Sequence, residues 1–262
     1  MMKEEELSVG ITGFIDILGF SEKVLSAETI KDIEDISLAI KKIQDEFDFQ
    51  TNEPLIVEEQ KLNKKTILAF SDCIVINIPL QSEGTKYSGT FDPVVSELTN
   101  FAVAQGRCVL DSLFIRGGVD SGWWYNQGHT LISQSMVGAV RREESARVPV
   151  IALSEGLYNY IKNHEDRKSL AKNIDPLEYL LRKYISGDCE FYYLDYITIC
   201  LNQFEQESDK INFLSLHAQK IEAGAYLSNV GKVKSKYIWL AEYHNEVALR
   251  YTHESKCLCN VI

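Results

Sequence analysis

The chain has 262 residues, 45% of them hydrophobic and 25% charged, which is enough for one sizeable core and excludes a fibre or wholesale disorder. Its 38 acidic and 27 basic side chains leave a net charge of −11, which argues against gripping duplex nucleic acid through many phosphate contacts. A small anionic ligand held by a few placed groups remains compatible with that charge.

Residues 9–18, rich in β-branched and apolar side chains, predict a strand. From 21 to 47 the spacing of Ile33, Ile36, Ile40, Ile43 and Phe47 predicts a helix. A polar loop is expected over 50–65. Two short apolar runs, 66–70 and 73–78, then flank Ser71 and Asp72 as the arms of a hairpin with Asp72 at its tip. Asp92 followed by Pro93 reads as a helix start, and Val94, Val95, Leu98, Phe101, Ala102 and Val109 carry an apolar face to about Ser112. Residues 113–125 predict a strand that turns at glycines into a second strand. A polar loop near 126–130, a helix over 135–147 and a short buried strand at 148–153 follow. Ser154 is expected to cap a helix over 155–164. The remainder predicts a helical segment at 175–185, an aromatic strand at 190–197, and helices at 208–225 and 230–251. This order describes an α/β sandwich on an antiparallel-rich sheet flanked by helices. Residues 1–200 form its main unit, and 201–262 a helical C-terminal extension packed on it.

The six cysteines (73, 108, 189, 200, 257 and 259) form no CxxC pair, and the opening residues show no basic-then-apolar signal pattern, so a reduced, cytoplasmic protein is expected. The longest apolar stretch, 67–80, is interrupted by Ser71, Asp72 and Asn77 and falls short of the ~20 residues of a membrane helix.

The chemistry concentrates in FIDILGFS, residues 14–21. Asp16 interrupts an apolar strand just before a glycine and a helix start, where a carboxylate is costly unless paired or metal-bound. The amides of 17–20 approach a helix N-terminus, a setting that favours an anion such as phosphate. The hairpin tip can bring Asp72 alongside Asp16. Two such carboxylates can hold two divalent cations about 3.5–4 Å apart, and oxygen ligands favour Mg²⁺ or Mn²⁺.

Taken in order, FIDILGFS, Asp72 in FSDCIVI and IRGGVDSG at 115–122 resemble the catalytic core of the class III nucleotidyl cyclase superfamily over about residues 9–155. The resemblance implies two metals at Asp16, Ile17 and Asp72. It implies substrate contacts from Phe14, Ile17, Leu18, Gly19 and Phe20, and a triphosphate contact from Arg116. Aligning the family's Asn-x-x-x-Arg helix puts Arg141 at the transition-state arginine and Val137 where the asparagine stands, with Arg142 or Arg147 as substitutes for the arginine. Leu68 and Thr130 fall where the family reads adenine with a lysine and an aspartate. The opening FIDILGF, the tandem Trp123, Trp124 and Tyr125, and EFYYLDYI are similar to the bacterial pyrimidine cyclases of the Pycsar antiphage system. That likeness implies conversion of UTP, or less readily CTP, to a cyclic nucleotide that activates an effector. It also implies a homodimer with composite sites, and neither nucleic acid nor membrane as partner.

Each signal also has an ordinary explanation. Asp16 fits the cap of the following helix, Asp72 a default turn residue, and the glycines a tight hairpin. The basic residues 141, 142 and 147 fit a solvated helix face, and the tryptophans a core or dimer anchor. Three other functions accordingly stay open: a purine cyclase, a nucleotide-binding pseudo-cyclase, and an acidic interaction protein in which both aspartates are structural.

Overall fold

The computed structural model describes residues 7–48, 65–81, 85–86, 89–127, 130–228 and 231–261. The loop expected at 50–65 lies outside these residues but for Lys65. An eight-stranded sheet in the order β2-β3-β1-β4-β6-β8-β7, with β5 paired to β4, forms the middle of the molecule. Its strands are β1 (Leu7–Ile17), β2 (Thr66–Phe70), β3 (Cys73–Pro79), β4 (Ile115–Gln127), β5 (Thr130–Ser133), β6 (Ile151–Leu153), β7 (Leu181–Ser186) and β8 (Cys189–Leu194). Every pairing is antiparallel except β4 with β6. The expected mixed α/β, antiparallel-rich architecture is what forms.

The helices are α1 (Phe20–Leu25), α2 (Ile30–Phe47), α3 (Phe91–Leu110), α4 (Gln134–Ala146), α5 (Glu155–Asn163), α6 (Glu165–Lys168), α7 (Pro176–Tyr179), α8 (Tyr196–Asn202), α9 (Glu207–Leu227) and α10 (Gly231–Ala248). Strand alternation assigns them to faces of the sheet. Thr12 of β1 bonds Ser135 of α4 at 2.6 Å, whereas a Cβ on Gly13 would meet the ring of Phe101 of α3 at 2.7 Å. Thus α4 covers the face shared by Thr12, Phe14 and Asp16, and α3 covers the face of Ile11, Ile15 and Ile17. Apolar side chains of α3, α8, α9 and α10 all enter one buried cluster. No helix among the described residues is long and apolar enough to cross a membrane.

Several boundaries differ from expectation, each for a local reason. The helix expected over 21–47 is two helices, because Thr29 and Asp32 form a capping box that starts α2 anew: Thr29 Oγ1 accepts from Asp32 N at 3.2 Å and Asp32 Oδ2 accepts from Thr29 N at 2.8 Å. The next long helix begins at Phe91 rather than after Asp92, since Phe91 is buried and belongs to the helical face, and it ends at Leu110. Residues 115–127 do not turn at the glycines. They pair with β1 without interruption from Leu7↔Tyr125 to Ile17↔Ile115, and the hairpin comes later, between β4 and β5. Gly118 serves close packing instead: a Cβ there would lie 2.0 Å from Ala139 O and 2.8 Å from Glu143 N, so only glycine lets α4 rest on the strand. The segment 175–185 is not helical throughout. Asp175 caps the short α7, which has Pro176 at its start, and residues from Leu181 onward pair with β8. The aromatic strand stops at Leu194, because Asp195 accepts from Thr198 N and begins α8.

Candidate active site

Sheet register assembles the site. Asp16, one residue from the end of β1, is the cross-strand partner of Cys73 on one side and of Arg116 on the other. Asp72 immediately precedes Cys73 in the turn after Ser71, a left-handed residue at φ 57°. Carboxylate oxygens of Asp16 and Asp72 and the Cys73 Sγ therefore lie within 4.8 Å of one another. The Cys73 thiol donates to Asp72 Oδ1 at 3.7 Å. Burial first, then the charges of Asp72 and Asp16, push that thiol up to about 12, so it stays protonated. What remains for a cation is a pair of hard carboxylates, a donor set that fits Mg²⁺ or Mn²⁺ with water completing the shell.

Arg116 Nε donates to Asp16 Oδ2 at 2.7 Å and also lies 2.5 Å from Oε1 of Glu143, on α4. Glu143 is buried, and burial raises its carboxyl above the ordinary value while Arg116 pulls it back. Lys236 of α10 is half-buried. Burial and the neighbouring Arg116 lower its ammonium, whereas Asp16, Glu143 and Glu22 raise it.

Glu143 and Lys236 were missed by the sequence reading. For Glu143 a signal existed: Ser135, Ala139, Glu143 and Ala146 fall on one buried helical face, so a carboxylate interrupts a row of small residues. For Lys236 there was none, because its place depends on how the C-terminal helices fold back.

The other expected site residues separate into near and distant. Phe14 shares the face of Asp16 and is half-buried, and Leu68 lies two strands away in the same row, through Phe14↔Val75 and Val75↔Leu68. The side chains of Ile17, Leu18 and Phe20 are core, so only their backbone can serve a ligand. Leu18 N–H is already committed to Phe114 O at 2.8 Å, and Gly19 takes the left-handed conformation, φ 74°, that begins the six-residue α1. Arg141 does not join this group. It sits two residues, about 200° of helix, from Glu143. Arg141 lines an open groove with Val137, Gly138 and Trp123 instead. Thr130 is exposed at the start of β5, paired with Gln127 at the far end of β4. Gln127 lies eleven residue steps beyond Arg116, about 36 Å along an extended strand.

No family model and no curated protein matches this chain. Solved structures do. A bacterial light-regulated adenylyl cyclase is similar over 75% of this chain and 98% of its own, at 14% identity and a TM-score of 0.44. The catalytic core of a rhodopsin-guanylyl cyclase with converted specificity, in complex with ATPαS, is similar over 72% of this chain and 96% of its own, at 17% identity and a TM-score of 0.45. A class III adenylyl cyclase-like ATP-binding protein from Pseudomonas aeruginosa is similar over 64% of this chain and 38% of its own, at 13% identity and a TM-score of 0.44.

Proposed function

We propose that this chain is a nucleotidyl cyclase that closes a pyrimidine nucleoside triphosphate, UTP ahead of CTP, into its 3′,5′-cyclic nucleotide with release of pyrophosphate. The observation that carries this reading is the convergence of Asp16 and Asp72 from separate strands, beside the guanidinium of Arg116. Asp16 and Asp72 would hold divalent cations, which when bound would supply charge to acidify a ribose 3′-hydroxyl and neutralise phosphate. Asp16 and Asp72 hold that charge at the end of β1. Arg116, one strand over, meets negative charge on the departing pyrophosphate. Because these groups sit in a rigid sheet, little reorganisation is needed as charge moves from the α-phosphorus to the leaving group.

Leu68 is apolar and Thr130 neutral, so neither supplies the lysine or aspartate that would read adenine. The distance of Thr130 and Arg141 from Asp16 within one chain favours a composite site. In a two-fold homodimer the groove of Val137 and Arg141 on one copy would face the metal carboxylates of the other. Residues 1–200 are then the catalytic unit and 201–262 its extension. The cyclic product would act on a separate effector in cytoplasmic antiphage defence. A second reading, nucleotide binding without turnover, draws on the apolar Val137 and on Arg116 being already engaged by Asp16 and Glu143.

Incubation of the purified protein with Mn²⁺ and ATP, GTP, CTP and UTP together, followed by chromatography, separates these readings. A cyclic pyrimidine nucleotide formed by the native chain and absent with Asp72→Asn is the expected result. A cyclic purine would overturn the pyrimidine assignment, and nucleotide binding with no cyclic product would leave the silent binder.

A further inference from the structure

A cavity of about 430 Å³ lies where the C-terminal helices meet the turn between β1 and α1, and none of the residues that line it belongs to the carboxylate cluster. Its size falls within the roughly 300–1,000 Å³ of small-molecule sites. Leu18 and Phe114 wall it on one side, Leu227 of α9 and Val233 of α10 on the other. The first pair is fixed by the Leu18 N–H, which donates to Phe114 O at 2.8 Å.

Tyr237 of α10 brings a polar atom to this apolar wall. Its ring packs edge-on against Phe114, with centroids 4.8 Å apart at 83°, and only 7% of the residue is exposed. A Cβ on Gly224 of α9 would lie 2.9 Å from the phenol oxygen, so that end of the ring rests on a glycine that also lines the cavity. The hydroxyl makes no hydrogen bond among the described residues, yet it is not sealed from solvent. Its open side is the cavity. A phenol this deeply buried is poorly satisfied until its hydroxyl finds a partner.

Two lysines set the charge of the opening. Lys23 of α1 and the half-buried Lys220 of α9 both border the cavity, and neither ammonium has an ion pair or hydrogen bond among the described residues. Glu22, exposed on α1, is the one acidic residue of the lining. In a chain of net charge −11, two unpaired ammonium groups at one apolar opening favour a ligand that brings negative charge.

We propose that this cavity is a binding site for an amphipathic monoanion, an aliphatic or aromatic body that carries one acidic head group. The body fills the space between Phe114 and Leu227, the Tyr237 hydroxyl donates to the head, and Lys220 and Lys23 meet its charge. The site does not depend on the cyclase reading. A ligand there ties the C-terminal helices to the turn that follows the strand of Asp16.

Fluorescence of anilinonaphthalene sulfonate, displaced by decanoate or by decanol, tests the site on the full chain. The native chain is expected to bind the dye, and decanoate to displace it about tenfold more tightly than decanol, the worth of one charge-assisted contact. Ala223→Trp places an indole in the cavity from an exposed helical position and should abolish binding, with Ala223→Phe in its place if that chain does not fold. Tyr237→Phe keeps the ring and should weaken decanoate about threefold, the loss of one neutral hydrogen bond. Lys220→Met should remove most of the preference for decanoate while leaving decanol unchanged, and Lys220→Arg should restore it. Native-like dye binding by the folded Ala223→Trp or Ala223→Phe chain overturns the site, as does a native chain that binds no dye. Equal displacement by decanoate and decanol, or native-like decanoate binding in both Tyr237→Phe and Lys220→Met, overturns the acidic head group.

Discussion

At the scale of single residues, the site is a balance of opposite charges at the end of one strand. Arg116 is shared between Asp16 and Glu143, so a cation arriving at Asp16 competes with a guanidinium, whereas at Asp72 it meets only the weak Cys73 thiol donor. Asp72→Asn should therefore reduce cyclic product by more than about 100-fold, since loss of an outer partner of a metal ligand alone costs about 10- to 100-fold. Its thermal midpoint should stay near the native value, because Asp72 occupies a half-exposed turn. Parallel activity and melting measurements check both halves; a large fall in midpoint would mark Asp72 as structural. Asp16, Asp72 and Arg116 were legible in the sequence because each stands out against its surroundings: a charge in an apolar strand, a charge in a tight turn, a charge before paired glycines. Glu143 and Lys236 were not, because a charged residue on a helix is ordinary until the packing face is known.

At the scale of elements, the close approach of α4 to β4 positions Glu143 over Arg116. Gly118→Ala would drive a methyl group into the Ala139 carbonyl, where 2.0 Å is available, and should cost about 1–3 kcal/mol or more as α4 moves off the sheet. Gly156→Ala, on α5 with nothing nearer than 3.8 Å, should instead gain about 0.5–1 kcal/mol. Chemical denaturation of the two variants makes the comparison, and an unchanged Gly118→Ala would show that the helix adjusts without cost. Gly117, Gly118 and Gly122 were expected to form a turn, because glycine permits both a reversal and a close contact, and only a neighbouring helix distinguishes the two uses. The 181–186 strand was hidden for a related reason: it is an edge strand with Ile185 exposed, and its identity comes from pairing with β8.

At the scale of the whole molecule, the C-terminal helices are joined to the rest through a buried chain of polar groups. Cys257 O can only accept, so His244 donates to it from Nε2 at 2.8 Å and leaves its Nδ1 as an acceptor. His217 then donates from Nδ1 to His244 Nδ1 at 2.9 Å, and its Nε2 accepts from the Tyr196 hydroxyl at 2.9 Å. In this arrangement both rings are neutral, and burial lowers both below the ordinary histidine value. The unfolded chain therefore takes up protons that the folded one refuses. Stability should be complete above about pH 6.5 and decline as the pH falls below it, by up to ~1.4 kcal/mol per pH unit for each ring. Thermal midpoints at pH 7.5 and 5.5 measure this, and equal midpoints would contradict it. Assembly is tested by mixing Asp72→Asn with Arg141→Ala. In a composite dimer half the molecules are mixed and carry one intact site of two, so roughly one quarter of native activity should return. No recovery would mean that each chain completes its own site.

The amino-acid sequence by itself determined the class of fold, the strand that carries Asp16, the hairpin that carries Asp72, and most helices, because these depend on local apolar periodicity and on turn and cap residues. Only the tertiary structure decided that 115–127 is one strand and that Glu143 meets Arg116 beside Asp16. Those outcomes depend on contacts between segments far apart in the chain. Their energies come from burial and register, which no short window of residues contains.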